Sequence, residues 1–533
     1  MHWQTKEQLT NLLVSLVQHG SVTLSGEEKR LASFIYYQLN HLDYFQENPG
    51  NLELHRMEDG RSFVTALVKQ SEKKETIALV SHFDVVGVED YGFLKDLAFQ
   101  PVELTRELEN NADALPAEAK EHLLSGGWLF GRGVMDMKAG LALQMSLLEK
   151  AIDENWDINL LLLAVPDEEV NSQGMLQALP ALGDLASKHN LQYKACVNSE
   201  PMFQKYPGDN NLYLYTGAIG KLLPGFFCYG KETHVGEPLA GLNANLMVSE
   251  IQKLMEWNTD LCEQVGAEVT PPPTSLIQKD LKMEYSVQIP HTAVTLYNVL
   301  FMEKTLTDWE ADFLRIAKQA AKNINEFCKG KADQFKRFTS FTEMPVDVAV
   351  YTYEEILEKA KAIHGDQEMD IRISSVIVSN LHLDEREQSI KVVEEVASLC
   401  KDLGPMIILF FAPPYYPAVA TDNQELLDSA RRFIQKWKVD ANVEFNEQRY
   451  FSGLCDLSFI GKGDFSAKDR LPFNIPVYGA TYSLPFAEME ALQMPVFNLG
   501  PVGKDPHQWT ERLNVKFSFE EFPPILADFV KNL

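Results

Sequence analysis

Paired cysteines are missing from the sequence, and this absence excludes two kinds of stabilising site. The six cysteines are scattered over 533 residues, and no two of them form a C-x-x-C pair. Such spacing argues against a disulfide framework and against a zinc site held by cysteines. The cysteines are therefore expected to be reduced, buried thiols.

Basic residues are scarce relative to acidic ones. The chain has 48 Lys and Arg against 76 Asp and Glu, which gives a net charge of -28. Nucleic acids and anionic membranes both require basic patches on a protein, so neither is expected as a partner. An acidic surface mainly indicates solubility, and it is compatible with a cationic substrate.

Long hydrophobic runs are also missing. No run approaches the roughly 20 apolar residues that a membrane-spanning helix needs. The first residues lack the basic start and uninterrupted apolar core of a signal peptide. We therefore expect a cytoplasmic protein, and its length favours two or three folded domains.

The hydrophobic pattern that is present predicts an α/β protein. Short apolar runs at residues 77–80, 160–165 and 195–197 alternate with helical stretches such as residues 138–152. This alternation predicts a mainly parallel sheet flanked by helices. A smaller α+β domain with its own strand-like runs is expected to interrupt it.

The predicted division of the chain has four segments. They are a first α/β segment at residues 1–212, the smaller domain at 213–330, a helix-rich insertion of unknown role at 331–405, and a second α/β segment at 406–533. The α/β domain is thus expected to be assembled from two separated stretches of chain.

Histidines and acidic residues follow several of the strand-like runs. They are His82 and Asp84, Asp167, Glu168 and Glu169, Glu200, and His507 and Glu511; in addition, Asp136 precedes a helix in GRGVMDMKAG. Because the carboxyl ends of parallel strands meet at one edge of a sheet, these side chains should lie close together. Each has an ordinary structural explanation when taken alone, but together they are a typical ligand set for zinc or a related divalent ion.

The spacing of these residues suggests separate roles. In an extended segment His82 and Asp84 point to the same face, so Asp84 can orient the ring of His82 without binding metal. The adjacent Glu168 and Glu169 point in different directions, so one can bind metal while the other faces the reacting water. Two ions about 3.5–4 Å apart need a bridging ligand, and a carboxylate such as Asp136 suits that role.

The motifs as a set resemble those of a zinc amidohydrolase family. This family includes acetylornithine deacetylase, succinyl-diaminopimelate desuccinylase, aminoacylase and glutamate carboxypeptidase, and within it the length and insertions look most like the bacterial arginine utilization proteins. The motifs, in order, are SVTLSGEE, SHFDVV, GRGVMDMKAG, PDEE, NSEP, GKETHVGEPLAGLNAN, CDLS and LGPVGKDPHQWTER. Their order is more specific than any single one of them.

The resemblance implies a site that binds two divalent ions. Zinc is the expected metal, and cobalt and manganese are the alternatives. One ion would be held by His82, Asp136 and Glu200, and the other by Asp136, Glu169 and His507. Asp136 would bridge them, followed by a cis peptide bond to Met137. Glu168 would be the general base that later donates a proton to the leaving amine, and Asp84 would assist through His82.

The resemblance also assigns roles outside the ligand set. The α/β domain would be catalytic, and the smaller domain would be a lid and a dimerisation surface, so a homodimer is expected. His234 would stabilise the oxyanion, often from the neighbouring subunit, although an ordinary surface histidine is the alternative. Asn243 either contacts substrate or caps the next helix, and Asp456 and Glu511 are expected to pack beside the site.

Two features depart from the family pattern. Relatives commonly carry an Asp-x-Arg whose arginine grips a substrate carboxylate, whereas the corresponding positions here are Asn298 and Leu300. The spacing between His82 and Asp136 is also longer than expected, so that residues 89–127 could reshape the mouth of the site.

The function predicted from the sequence is hydrolysis of an amide bond in an N-acyl amino acid or small peptide, with a role in arginine utilization. Two alternatives remain open at this point. One is a carbamoyl-amino-acid amidase or an aminopeptidase that uses the same site. The other is a metal-binding scaffold without catalysis, against which the retention of Glu168 argues.

Overall fold

A computed structural model of the protein describes residues 1–70, 72–206, 208–282, 284, 286–340 and 345–533. Its α-helices, in chain order, are α1 (Lys6–Val17), α2 (Gly26–Asn40), α3 (Asp43–Glu47), α4 (Pro101–Asn110), α5 (Ala117–Ser125), α6 (Lys138–Asp153), α7 (Gln173–His189), α8 (Ala244–Met255), α9 (Leu306–Phe335), α10 (Tyr353–His364), α11 (Asp366–Ser379), α12 (Glu385–Leu399), α13 (Gln424–Ala441), α14 (Leu471–Asn474), α15 (Phe486–Leu492) and α16 (Phe522–Asn532). Its strands are β1 (Leu52–Arg56), β2 (Ser62–Val68), β3 (Glu75–His82), β4 (Trp128–Phe130), β5 (Asn159–Val165), β6 (Gln192–Asn198), β7 (Leu212–Tyr215), β8 (Gly217–Ala218), β9 (Gly220–Tyr229), β10 (Gln264–Val265), β11 (Glu268–Val269), β12 (Thr274–Asp280), β13 (Thr292–Phe301), β14 (Ala349–Thr352), β15 (Met406–Tyr416), β16 (Val419–Ala420), β17 (Phe445–Gln448), β18 (Val496–Asn498), β19 (Gly503–Lys504) and β20 (Arg512–Asn514).

The chain divides into two compact units. Unit 1 comprises Met1–Ile219, Val419–Gly463 and Pro485–Leu533, and unit 2 comprises Gly220–Ala418 and Asp464–Leu484. Each unit has its own main sheet.

An eight-stranded mixed sheet forms the centre of unit 1. Its strand order is β1-β2-β5-β3-β6-β18-β7-β17, and the neighbours from β5 to β18 run parallel. Antiparallel pairs add β1 and β2 on one side. A three-stranded sheet, β19-β20-β4, lies apart from it within the same unit.

The elements of unit 1 follow from local sequence and burial. Thr5 caps α1 with a reciprocal hydrogen bond to Gln8, and leucines at helical spacing bury one face of that helix. Every residue of β5, NLLLLAV, is buried, as expected for an inner strand of a sheet covered on both faces. Helix α2 begins at Gly26 after Ser25, a residue type that often caps helices. The Ser25 side chain makes no capping hydrogen bond here.

Unit 2 contains a five-stranded sheet of order β12-β13-β9-β15-β14. Its strands pair antiparallel except for β14 and β15, which are parallel. Helices α8, α9 and α12 pack against it. Helix α9 is capped by Thr305, and α10 begins with a capping box between Thr352 and Glu355.

The α/β fold class predicted from the sequence is confirmed, but the structure differs from the predicted segment boundaries. The sequence predicts that the strand-like run beginning at Met406 opens the second α/β segment. It forms β15 and pairs with β9, so it belongs to unit 2. The helix-rich residues 331–405, apart from 341–344, which lie outside the described residues, also belong to unit 2 because β14 pairs with β15.

Within the described residues, no helix combines the length and the apolar character that crossing a membrane requires.

Candidate metal centre

Four neighbouring parallel strands bring the predicted site residues to one edge of the unit 1 sheet. His82 is the last residue of β3, Glu168 and Glu169 follow β5, and Glu200 follows β6. His507 lies in the loop between β19 and β20, beyond the end of β18. The sheet order places β5, β3, β6 and β18 side by side, so residues far apart in sequence meet.

The first cluster surrounds the Nε2 atom of His82. The Asp136 Oδ1 and Glu200 Oε1 atoms each lie 3.4 Å from it, and Glu168 Oε2 lies 3.8 Å away. All four side chains are buried. His82, Asp136 and Glu200 each present one donor atom within 4.8 Å of the others, which is compatible with one shared ion.

The second cluster surrounds the Nε2 atom of His507. Asp136 Oδ2 lies 3.3 Å from it, and Glu169 Oε2 lies 3.1 Å from it. The side chain of His507 is 48% exposed, so this cluster opens to solvent. The two oxygens of Asp136 therefore face different histidines, which is the arrangement that a carboxylate between two cations requires.

Asp84 contacts the site without pointing a free oxygen into it. Its Oδ1 atom lies 3.4 Å from His82 Nδ1 and accepts the backbone N–H of Glu168. Its Oδ2 atom accepts the backbone N–H of Glu169 and the hydroxyl of Thr23. Asp84 thus orients the His82 ring and also fixes the turn that carries both glutamates.

The position of Glu200 depends on two glycines. A Cβ atom on Gly140 would lie 2.2 Å from the Ser199 carbonyl oxygen, and one on Gly500 would lie 2.1 Å from the Glu200 carbonyl oxygen. Only glycine allows helix α6 and the loop after β18 to approach the Glu200 backbone so closely.

Glu511 organises the segment that carries Asp136. Its Oε1 atom accepts the backbone N–H groups of Gly133, at 2.8 Å, and of Met135, at 3.2 Å. Its Oε2 atom accepts a hydrogen bond of 2.8 Å from Arg132. The supporting role expected for Glu511 agrees with these contacts, and the predicted cis peptide bond between Asp136 and Met137 is confirmed.

Burial and charge act against each other throughout the two clusters. Burial alone would lower the pKa of His82, but Glu200, Asp136 and Asp84 outweigh it and raise that pKa well above its usual range. The pKa of His507 is likewise lowered by burial but raised overall, to about 11, by Asp136 and Glu169. Both upward shifts come from the surrounding carboxylates, and divalent cations would supply the positive charge that these carboxylates favour.

Glu168 differs from the other carboxylates in its surroundings. Burial raises its pKa well above the usual value; His82 opposes this shift, whereas Glu169 and Asp456 add to it. A raised pKa makes a carboxylate a better proton acceptor than an ordinary glutamate. Asp456 is itself buried, and burial raises its pKa to about 7.

A cleft of about 400 Å³ leads to Asp136 and His507. Its walls include Phe203, Gln204 and Ser452. This volume is suitable for a small molecule or for one side chain of a peptide.

The other predicted residues lie in unit 2. His234 is exposed, and its Nδ1 atom accepts the backbone N–H of Gly236 at 3.1 Å. Asn243 is the N-cap of α8, where its Oδ1 atom accepts the backbone N–H of Asn245 at 2.9 Å. Asn298 and Leu300 lie in β13.

Sequence reasoning missed one buried network behind the glutamate turn. Arg61 donates to Asp167 Oδ1 at 2.7 Å and to Glu28 Oε1 at 3.1 Å. Asp167, which precedes Glu168, has a positive φ of 74°, and this ion pair helps to hold that conformation. The acidic pair in SVTLSGEE was a signal for Glu28, but nothing in the local sequence marks Arg61.

Family comparison agrees with the fold and the site geometry. Residues 108–524 match the model of peptidase family M20/M25/M40. The chain therefore belongs to the M20/M25/M40 peptidase family, whose members are hydrolases, and the family resemblance predicted from the motifs is confirmed.

Two Bacillus subtilis (strain 168) proteins are similar over nearly their whole length. The chain is 48% identical to the uncharacterized protein YqjN over 528 residues, which are 99% of this chain and 96% of that protein. It is 31% identical to protein RocB over 550 residues, covering 100% of this chain and 96% of RocB.

Solved structures share the fold at low sequence identity. An M20 family metallo-carboxypeptidase from Sulfolobus solfataricus has a TM-score of 0.52 at 11% identity, with 98% of each chain covered. Aminopeptidase PepT from Bacillus cereus has a TM-score of 0.51 at 13% identity, with 99% of each chain covered.

Proposed function

We propose that this protein is a metal-dependent hydrolase that cleaves an amide bond with two divalent ions, zinc in the first instance. The observation that carries the proposal is the position of Asp136, whose two carboxylate oxygens face the Nε2 atoms of His82 and His507 at 3.4 and 3.3 Å. The clusters contain imidazole and carboxylate groups, the ligands that zinc, cobalt and manganese accept.

Each ion would have three protein ligands. His82, Asp136 and Glu200 would hold one, and Asp136, Glu169 and His507 the other. Three ligands leave room for water or substrate, as in catalytic metal sites. When bound, the ions would lower the pKa of a water molecule and polarise the carbonyl group of the amide.

Glu168 would move the proton. It would take a proton from the attacking water as the carbonyl carbon is attacked and deliver it to the nitrogen of the leaving amine. In the metal-free protein the pKa of Glu168 is raised by burial, and such a group is a better base than a strongly acidic carboxyl group. Asp84 would support the reaction by orienting His82 and the glutamate turn.

His234 and Asn243 would contribute to substrate binding from unit 2. Because His234 Nδ1 accepts a hydrogen bond from Gly236, the neutral ring carries its proton on Nε2. That N–H group could donate to a developing oxyanion. We propose that the protein is a homodimer in which this histidine serves the neighbouring subunit, with unit 2 as the lid and dimerisation domain.

The proposed substrates are N-acyl amino acids or short peptides. Full-length similarity to RocB supports a role in arginine utilization. Asn298 and Leu300 stand where relatives carry Asp-x-Arg, so the expected carboxylate clamp is missing and a free α-carboxylate on the substrate is not assumed. This keeps open a second use of the same site, as a carbamoyl-amino-acid amidase or an aminopeptidase.

Hydrolysis assays would test the proposal. Protein loaded with zinc or cobalt is offered N-acyl amino acids, arginine derivatives, N-carbamoyl amino acids and dipeptides, and the metal content is measured in parallel. We expect Glu168→Gln to lose at least 100-fold in turnover while retaining both ions, because general acid–base catalysis contributes about 10²–10⁴-fold.

The exposed Glu103 of α4 provides the matched control. Glu103→Gln should retain full turnover and both ions. Two bound ions without turnover of any substrate would instead support the non-catalytic scaffold, and failure to bind two ions would contradict the dinuclear site.

A further inference from the structure

The 89–127 segment, between His82 and Asp136, is a packed part of unit 1 with a small core of its own. Helices α4 and α5 contribute Leu104, Leu108 and Leu123 to this core, and Phe130 of β4 joins them. The segment therefore has a defined position relative to the β19-β20-β4 sheet.

Helix α5 directs two side chains at Arg512, the first residue of β20. His122 Nδ1 accepts a hydrogen bond of 3.0 Å from Arg512 Nε, and Glu118 Oε2 lies 3.9 Å from Arg512 Nη2. The His122 ring stacks on Trp128, with ring centroids 4.0 Å apart and planes at 8°. Arg512 is fully buried, and within the described residues its Nη2 atom makes no hydrogen bond. The carboxylate of Glu118 nevertheless places a negative charge near this buried cation.

The same arginine holds the loop that carries His507. Its Nη1 atom donates to the Asp505 carboxylate and to the Thr510 carbonyl oxygen. The Thr510 hydroxyl also donates to Asp505, at 2.7 Å. The two ends of the loop are thus tied together through one guanidinium group, whose planar shape fixes the directions of its hydrogen bonds.

The conformation of this loop needs outside support. Asp505 has a φ of 57° and His507 a φ of 61°. Non-glycine residues in this left-handed region cost roughly 1–3 kcal/mol each and persist where surrounding contacts impose the conformation. The contacts of Arg512 are therefore well placed to impose it.

We propose that His122 and Glu118 of α5, acting through Arg512, position His507 and thereby set the metal affinity of the cluster formed by Asp136, Glu169 and His507. The metal part of this inference rests on the proposed function. The three residues are positioning residues, because their contacts reach the cluster through the loop. Metal affinity is known to be sensitive to such supporting groups, whose loss typically costs 10–100-fold.

The hydrogen bond between His122 and Arg512 defines the variants to compare. Arg512 can only donate, so His122 must accept through an unprotonated Nδ1 atom. Burial and the positive charge of Arg512 also lower the pKa of His122, which agrees with an unprotonated Nδ1. His122→Ala removes the acceptor. His122→Gln can restore it through the amide oxygen.

Stepwise metal binding tests the inference with a readout other than activity. Zinc or cobalt is titrated calorimetrically into metal-free full-length protein in the presence of a competing chelator. For His122→Ala we expect one of the two binding steps to lose 10–100-fold in affinity, with the other step within twofold of wild type, and His122→Gln should recover most of the loss. Glu118→Ala should act in the same direction but less strongly, because its contact with Arg512 is longer.

Lys120 provides the control on the same helix, because it pairs with Asp113 and not with β20. Lys120→Ala should leave both binding steps unchanged. Equal weakening of both steps in His122→Ala, or no weakening, would overturn the inference.

Hydrogen exchange on metal-free protein separates this inference from the proposed function. The backbone N–H groups of Gln508 and Glu511 are bonded within the loop, to Asp505 and Gln508. Both should exchange faster in His122→Ala than in wild type and Lys120→Ala. Unchanged exchange would overturn the positioning role, even if two ions bind. Wild-type protein that binds fewer than two ions would contradict the proposed function, and the positioning role would then be decided by exchange alone.

Discussion

Asp84 and Glu511 are buried carboxylates at the candidate metal centre whose oxygens already have protein partners. Asp84 accepts two backbone N–H groups and the Thr23 hydroxyl. Glu511 accepts backbone N–H groups of the loop before Asp136. A carboxylate engaged in this way is a poor candidate for a ligand, although residue type alone would not separate it from Asp136 or Glu200.

Glu28 provides a pH-dependent test of the buried Arg61 network. Burial and the nearby Asp84 raise the pKa of Glu28 from 4.5 to about 8, although Arg61 acts in the opposite direction. A carboxyl group whose pKa is raised by folding holds a proton that the unfolded chain has lost. Wild-type stability should therefore fall, relative to Glu28→Gln, as pH rises through this window, by up to about 1.4 kcal/mol per pH unit.

Urea denaturation at several pH values measures this difference. Glu27→Gln on the same helix is the matched control, because Glu27 forms a partly exposed pair with Arg30 and is not part of the buried Arg61 network. A difference between Glu28→Gln and wild type that is independent of pH would contradict the raised pKa.

The sequence predicted the candidate metal ligands better than the residues that hold those ligands in position. Residues such as His82, Glu169 and Glu200 follow apolar runs of strand length, and parallel strands align their carboxyl ends, so their proximity could be inferred. Arg61 and Arg512 act through contacts with residues distant in sequence. Local patterns carry no signal for such partners.

At the scale of elements, β15 shows where sequence prediction stops. An apolar run of this length predicts a buried strand, and β15 is buried along its whole length. The run itself does not say which sheet it joins, because an apolar strand can be buried in any sheet that is covered on both faces. Its pairing with β9 placed it in unit 2, and the predicted domain boundary was displaced as a result.

Helix α8 allows the two interpretations of Asn243 to be separated. Asn243→Ala removes the N-cap and should cost about 1 kcal/mol of stability, whereas Asn243→Ser keeps a capping oxygen and should cost a few tenths at most. If Asn243 also contacts substrate, Asn243→Ser should lower kcat/KM because serine lacks the amide group. Denaturation and kinetics of both variants measure the two effects.

Asn258 is the matched control for that comparison. It caps a neighbouring helical turn in unit 2 through the same kind of hydrogen bond, from Asp260. Asn258→Ser should leave kcat/KM unchanged. Unchanged kinetics in Asn243→Ser would leave capping as the role of Asn243.

For the whole molecule, the net charge of -28 predicts a response to salt. Like charges repel more strongly in the folded state than in the expanded unfolded chain. Raising the ionic strength from about 0.01 to 0.15 M shortens the screening length from about 30 to about 8 Å and should weaken this repulsion. The free energy of unfolding should therefore rise, which denaturant titrations at several salt concentrations would measure.

An uncharged solute at matched osmolality controls for effects unrelated to screening. It should not reproduce the dependence on ionic strength. A fall in stability with salt would mean that surface ion pairs contribute more than the net repulsion.

The order of strands in unit 1 has a consequence for how the protein is made. Strand β18 lies between β6 and β7, yet it follows β6 by roughly 300 residues. At ribosomal rates of about 5–20 residues per second, this corresponds to a delay of roughly 15–60 s. During that interval the nascent sheet has a gap where its inner strand belongs, and the exposed edge of β6 is open to pairing with other chains. A cell that makes this protein has to protect that edge until translation is nearly complete.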